Sequence, residues 1–165
     1  MCMETVLETI PEFLGQEAIA RHHLSNFEFD AMRAMITASA ALPEHRILVA
    51  ISDDVVVGYS IVSVKRNEAG ELYGYLFSRG VARPYRRQGI ATMLLKAAET
   101  WFLQRGIVYA QAETHRENVP LQTLLLNHRF AVVEQGVGAW PYLVLRKSYV
   151  AETVSPTHAG RARLQ

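Results

Sequence analysis

Between residues 72 and 112 the chain passes through an apolar, aromatic run, a basic loop bearing glycine, an amphipathic segment and a second short apolar run. This order constrains the fold more than any other feature of the sequence. Apolar residues at 91, 94, 95, 98, 101 and 102 trace one face of a helix over residues 91–105, and Gly106 is placed to end it. The flanking runs, 72–81 and 107–112, have the length and composition of strands. Two strands joined through a helix lie parallel, with a crossover that is right-handed as a rule. The chain is therefore committed to a sheet with a parallel pair.

The rest of the sequence adds antiparallel neighbours. Residues 46–52 and 55–64 are rich in β-branched side chains, and Asp53-Asp54 between them predicts a tight hairpin. Apolar residues on both faces of the second run mark a central strand. A turn at residues 67–70 leads into the run 72–81. Further on, Asn118 is placed as the N-cap of a helix carrying Leu121, Leu124 and Leu125. Strands at 130–134 and 140–145 flank Gly136 and Gly138. The first forty residues read as helices, at 16–24 and 28–41, closed by Pro43. Residues 151–165 hold few large apolar side chains and read as a frayed tail, so residues 1–150 are expected to form one domain. The fold class expected is α/β: a mixed, mostly antiparallel sheet with one parallel βαβ crossover and helices on both faces. A chain of 165 residues, 50% hydrophobic, can bury the core this needs.

Composition narrows the function classes. Seventeen Lys and Arg against sixteen Asp and Glu leave a formal charge of +1, with no excess that would mark a nucleic-acid or membrane-surface protein. Cys2 is the single cysteine, which rules out an intramolecular disulfide framework or a Cys-rich zinc module. The apolar run at 55–64 is half the length a bilayer span requires. Glu4, Glu8 and Glu12 replace the basic start of a secretory signal, so the expected compartment is the cytoplasm.

The chemistry is concentrated in V-A-R-P-Y-R-R-Q-G-I-A, residues 81–91, where a strand ends and a helix begins. Amides at a helix N-terminus have no intrahelical partner and point into the loop, which suits a phosphate. Glycine lets the backbone approach that phosphate with no Cβ in the way. Arg86 and Arg87 supply positive charge. Two other phosphate cradles are absent: there is no G-x-x-x-x-G-K-[ST] and no G-x-G-x-x-G.

The spacing R-x-x-G-x-A at Arg86, Gly89 and Ala91, between a strand ending at Val81 and an amphipathic helix, resembles the acetyl-CoA loop of the GNAT superfamily of N-acetyltransferases. In element order the resemblance runs over about residues 45 to 147, with Asn118 and Phe130 where the family often has its second motif. It implies acetyl-CoA as co-substrate. It assigns the main chain of Val81 and Arg83 to the pantetheine arm. The amides of Arg86, Arg87, Gln88, Gly89, Ile90 and Ala91 would hold the pyrophosphate, helped by the Thr92 hydroxyl. Asn118 would sit near the pantetheine or cap the adjacent helix. The strand ending at Val81 would splay from the next one, with the thioester in the gap and the Val81 N–H near the oxygen that becomes negative.

Acetyl transfer to an amine needs a deprotonated nucleophile, so a base is useful. Glu113 matches the Glu of the L-E-V-x-x-x-N pattern in ribosomal-protein N-terminal acetyltransferases, the base in that branch. At the splay it would be partly desolvated. Two positions depart from the family pattern: Leu125 falls where a general-acid Tyr is usual, and Arg129 where a Gly precedes the Phe. Leucine cannot donate a proton, which leaves the thiolate to water or to a tyrosine elsewhere, such as Tyr142.

Each position also has a plainer reading. Arg86 and Arg87 can be a solvated turn, Glu113 a strand-end charge, and Asn118 a helix cap. His22, His23 and His115 have no partner at metal spacing and read as surface or packing residues, and no metal site is expected. Phe27, Phe29, Met32 and Met35 can wall an acceptor pocket or simply pack the core. The expected activity is transfer of an acetyl group from acetyl-CoA to a primary amine by direct attack in a ternary complex. The alternatives are a CoA-binding domain without turnover and an interaction protein whose loop contacts phosphates of another protein. The acceptor is a small molecule, a protein N-terminus or a lysine; neither nucleic acid nor membrane is expected as partner, and a homodimer is compatible with the sequence.

Overall fold

A computed structural model describes residues 34, 37, 38 and 40–149. Residues 34, 37, 38 and 40 are helical, within the expected segment 28–41. The segment 16–24, the tail 151–165, Cys2, His22, His23, Phe27, Phe29, Met32 and Met35 lie outside the described residues.

The hairpin at Asp53-Asp54 joins β1 (His45–Ser52) to β2 (Val55–Arg66). Both aspartates sit in the left-handed region, φ 48° and 62°, the backbone that a two-residue turn of matching twist demands. β3 (Leu72–Val81) runs back along β2 with the bounds expected. The chain then enters α1 (Ile90–Gln104), β4 (Tyr109–His115), α2 (Val119–Asn127), β5 (Ala131–Gly136) and β6 (Tyr142–Ser148). The six strands form one sheet in the order β1-β2-β3-β4-β6-β5, antiparallel except for β3 and β4. The final hairpin thus inserts its second strand beside β4 and leaves β5 at the edge.

Most strand boundaries lie one to three residues from expectation, and the starts of β4 and β5 do so for a local reason. β4 starts at Tyr109 rather than at residue 107, because the Ile107 amide caps α1 by donating to the Phe102 carbonyl (3.1 Å), while Gly106 at φ 70° donates to Leu103 (3.0 Å). β5 starts after Phe130, whose amide caps α2 in the same way through Leu125 (3.1 Å). There the left-handed position is Arg129, φ 68°, where the family pattern has glycine. β6 begins at Tyr142, two residues beyond Trp140, and continues to Ser148, opposite Tyr109.

α1 and α2 pack on one face of the sheet. Leu95, Ala98, Trp101 and Phe102 of α1 and Leu125 of α2 share a buried cluster with Leu76, Ala110, Ala112, Leu143 and Leu145 from the strands. Phe102 lies so close to β3 that a Cβ on Gly74 would come within 2.7 Å of its ring. β2 is buried on both faces, Tyr59 and Ile61 on one and Val62 on the other, as a central strand should be. No helix among the described residues is long and apolar enough to cross a membrane.

Two irregularities shape β3 and its neighbours. Ile61 pairs with Ser78 but Val62 pairs with Leu76, so Phe77 is an extra, bulged residue in β3. The bulge turns the strand over: Gly74 faces α1, whereas Gly80 lies against the Tyr59 ring on the other face. In addition, β3 and β4 pair only at Gly74–Ala110 and Tyr75–Gln111. Past that point they separate.

Candidate active site

The separation opens a cleft of about 1090 Å³ between the end of β3, the first turn of α1, the end of β4 and α2. Ala82 N–H donates to Val57 (2.9 Å), which makes the neighbouring Gly58–Val81 pair a non-hydrogen-bonded one. The Val81 amide and carbonyl therefore point away from β2, on the side of the cleft. Arg86 Nε takes that carbonyl at 2.9 Å, anchoring the basic loop to the strand end.

The loop itself makes one short 3₁₀ turn at Arg83–Tyr85 and then reaches α1 through Arg87 (φ 63°) and Gly89 (φ 83°). A Cβ at Gly89 would meet nothing within 4 Å, so this position is open space against which another group can lie. Met93 is the first amide to bond back, to the Gly89 carbonyl at 2.9 Å. The amides of Ile90, Ala91 and Thr92 ahead of it have no intrahelical acceptor. Val81, Arg86, Arg87, Gly89, Ile90, Ala91 and Thr92 all line the cleft. Arg83 and Gln88 do not; Gln88 Nε2 donates to the Pro84 carbonyl (3.0 Å) and braces the loop from behind.

Glu113 and Asn118 line the same cleft. Asn118 Oδ1 accepts the Leu121 amide (3.4 Å), so it caps α2 while facing the cavity. Glu113 is exposed at the rim, not desolvated as expected. His115 is a packing residue in the cleft wall: Nδ1 accepts the Glu117 amide (3.2 Å), and its ring meets the edge of Trp140, which lines the same cleft. Tyr142 lies elsewhere, donating to Glu134 on the terminal hairpin (2.7 Å).

Leu125 is fully buried among Phe102, Ala112, Phe130 and Leu145, while Leu121 and Leu124 line the cleft from the same helix. A tyrosine at 125 would bring its hydroxyl into that apolar cluster. Leu125→Tyr is therefore expected to lower stability by about 1–3 kcal/mol, the cost of an unpaired buried hydroxyl. Chemical denaturation measures it, and unchanged stability would show that the side chain can swing into the cleft.

β3 contributes residues that belong to no motif in the sequence. Tyr75 is pushed up first by burial and then by Glu113, with Arg79 opposing. Lys65 Nζ lies 3.5 Å from the centroid of the Tyr75 ring, and burial lowers its pKa against the pull of Glu113. Arg79 Nη2 donates to the Leu76 carbonyl beside the bulge (2.9 Å). Its Nη1 is buried with no hydrogen-bond partner among the described residues. Burial brings the guanidinium down to about 10, still a cation at neutral pH.

A splayed parallel pair opening onto a glycine-bearing helix start is the arrangement the loop pattern implied, and the family comparison agrees with it. The Acetyltransferase (GNAT) family model matches residues 15–127. The chain belongs to the GNAT family. Among solved structures, one assigned to the GNAT family from Desulfovibrio desulfuricans aligns with a TM-score of 0.73 at 15% identity, over 91% of this chain and 95% of its own. The PaiA N-acetyltransferase of Thermoplasma acidophilum, solved in complex with coenzyme A, gives 0.67 at 18% identity, over 88% and 92%. The ribosomal-protein-S18-alanine N-acetyltransferase of Escherichia coli gives 0.61 at 16% identity, over 73% and 81%. No curated protein sequence matches this GNAT chain. At these identities the likeness is one of fold, and the mixed sheet with its single parallel pair is the GNAT fold.

Proposed function

We propose that the protein transfers an acetyl group from acetyl-CoA to a primary amine by direct attack on the thioester. The observation that carries this reading is the gap between β3 and β4, which runs from the first turn of α1 to Glu113. The Arg86 amide is taken by the Arg83 carbonyl (3.2 Å), so the amides of Arg87, Gly89, Ile90 and Ala91, with Gly89 open, suit the pyrophosphate, Arg86 adds its charge and the Thr92 hydroxyl a donor. The main chain of Val81 suits the pantetheine arm, and its N–H the thioester oxygen as that oxygen gains charge. Arg83 and Gln88 act through the shape of the loop, and Asn118 through the cap of α2. Glu113 takes the proton of the attacking amine. The CoA thiol, with a pKa of about 8.5 by analogy with cysteine, leaves as a thiolate that water can protonate.

The apolar burial of Leu125 favours one other reading, a CoA-binding domain without turnover. Thermal melting and a thiol-release assay separate the possibilities. At a hundred times its Kd, acetyl-CoA should raise Tm by about 5–10 °C. A panel of amines, including N-terminal peptides and lysine, should then release CoA. Stabilisation with no release would leave the binding domain. No shift at millimolar acetyl-CoA would remove both.

A further inference from the structure

We propose that Arg79 binds a carboxylate on the acceptor, so that the substrate is a small amine carrying a carboxylate beside its reacting nitrogen, of the amino-acid class. This rests on the acetyl-transfer reading and adds the acceptor to it. Arg79 lines the cleft two residues before Val81. One N–H of Nη2 donates to the Leu76 carbonyl, which fixes the guanidinium, while Nη1 stays buried and without a partner among the described residues. No carboxylate among those residues forms an ion pair with it. A buried guanidinium nitrogen with no acceptor among the described residues is costly, and an anion arriving in the cleft removes that cost.

The second charge in the cleft says what kind of anion. Glu113, Tyr75 and Arg79 all line the cleft, and no ion pair joins Glu113 to Arg79. Lys65, which does not line the cleft, sits on the face of the Tyr75 ring. The cleft thus presents a carboxylate and a guanidinium that are not paired with each other. A zwitterion carries the complementary pair: its nitrogen toward Glu113 and one carboxylate oxygen on Nη1. The contact on Nη1 is a charge-assisted hydrogen bond.

The test compares the common amino acids with their carboxamides and with the matching decarboxylated amines, in wild type, Arg79→Met and Arg79→Lys. Wild type should prefer the carboxylate-bearing member by at least tenfold in kcat/KM. Arg79→Met should lose about 100-fold on that member, in the range for truncating one partner of a buried charge pair, and little on the others. Acetyl-CoA affinity by calorimetry should stay within a few-fold. Arg79→Lys keeps the charge and should recover part of the preference; it carries the test should Arg79→Met not fold. Equal losses on all acceptors with weaker acetyl-CoA binding would place the guanidinium on the thioester and overturn the proposal, as would absence of any preference in wild type. A readout independent of turnover is protection against melting by N-acetylated amino acids. They should stabilise wild type more than their carboxamides do, and Arg79→Met should erase the difference. That result would stand even if no amine released CoA, a failure belonging to the transferase reading alone.

Discussion

Glu113→Gln should lower acetyl transfer by roughly 10²–10⁴, the range for loss of a general base, with acetyl-CoA affinity nearly unchanged. The substitution keeps the shape of the side chain and removes only its capacity to take a proton. Glu113 is exposed at the rim of the cleft, at the opposite end from the loop that would hold the phosphates, so neither fold nor cofactor site depends on it. The deficit has a defined pH course. An alkylamine with a pKa of about 10.4 is almost entirely ammonium at pH 7, and the base supplies the missing free amine at the point of attack. As pH rises toward the amine's own pKa the nucleophile deprotonates unaided, so the variant should approach wild type. Initial rates across that range measure it. A loss of only a few-fold, flat with pH, would make Glu113 a strand-end charge and leave the proton to water.

Gly89→Asp should weaken acetyl-CoA by at least about 100-fold, the equivalent of about 2.7 kcal/mol. Two unit charges 4 Å apart interact by about 4 kcal/mol near a protein surface, so a carboxylate facing a diphosphate has that much repulsion to offer. The protein should still fold. The new Cβ meets open space, and aspartate tolerates the left-handed backbone better than most residues. Gly89→Ala separates the two effects: it carries the backbone strain without the charge and should retain most of the affinity. Calorimetric titration with acetyl-CoA distinguishes them. Undiminished binding by Gly89→Asp would show that the loop is not the phosphate site, whatever its sequence.

The parts of this molecule that could be read from its sequence are those set by neighbours along the chain. The strand Leu72–Val81 and the Asp53-Asp54 turn follow from alternation and turn chemistry within a few residues. Asn118 is legible as a cap for the same reason. Ile107 and Phe130 look like strand residues but give their amides to helix ends, a competition that composition does not reveal. Leu125 can be aligned with a functional position, yet only the packing of Phe102, Phe130 and Leu145 around it shows that its side chain is core. Arg79 is out of reach for a longer-range reason. A charged residue next to glycine in a strand reads as exposed; the bulge at Phe77 resets the alternation of the strand ahead of it, and Arg79 Nη1 is buried.

That seam has a mechanical meaning. With β3 stitched to β4 at two residue pairs near one end, the described part of the sheet is two three-stranded leaves pinched together like a clothes-peg, with the shared apolar cluster holding them. The jaws carry edge amides and carbonyls that a continuous sheet would have used up on each other. A molecule laid between them would take up those free groups, so its binding would also tie the two halves of the sheet together.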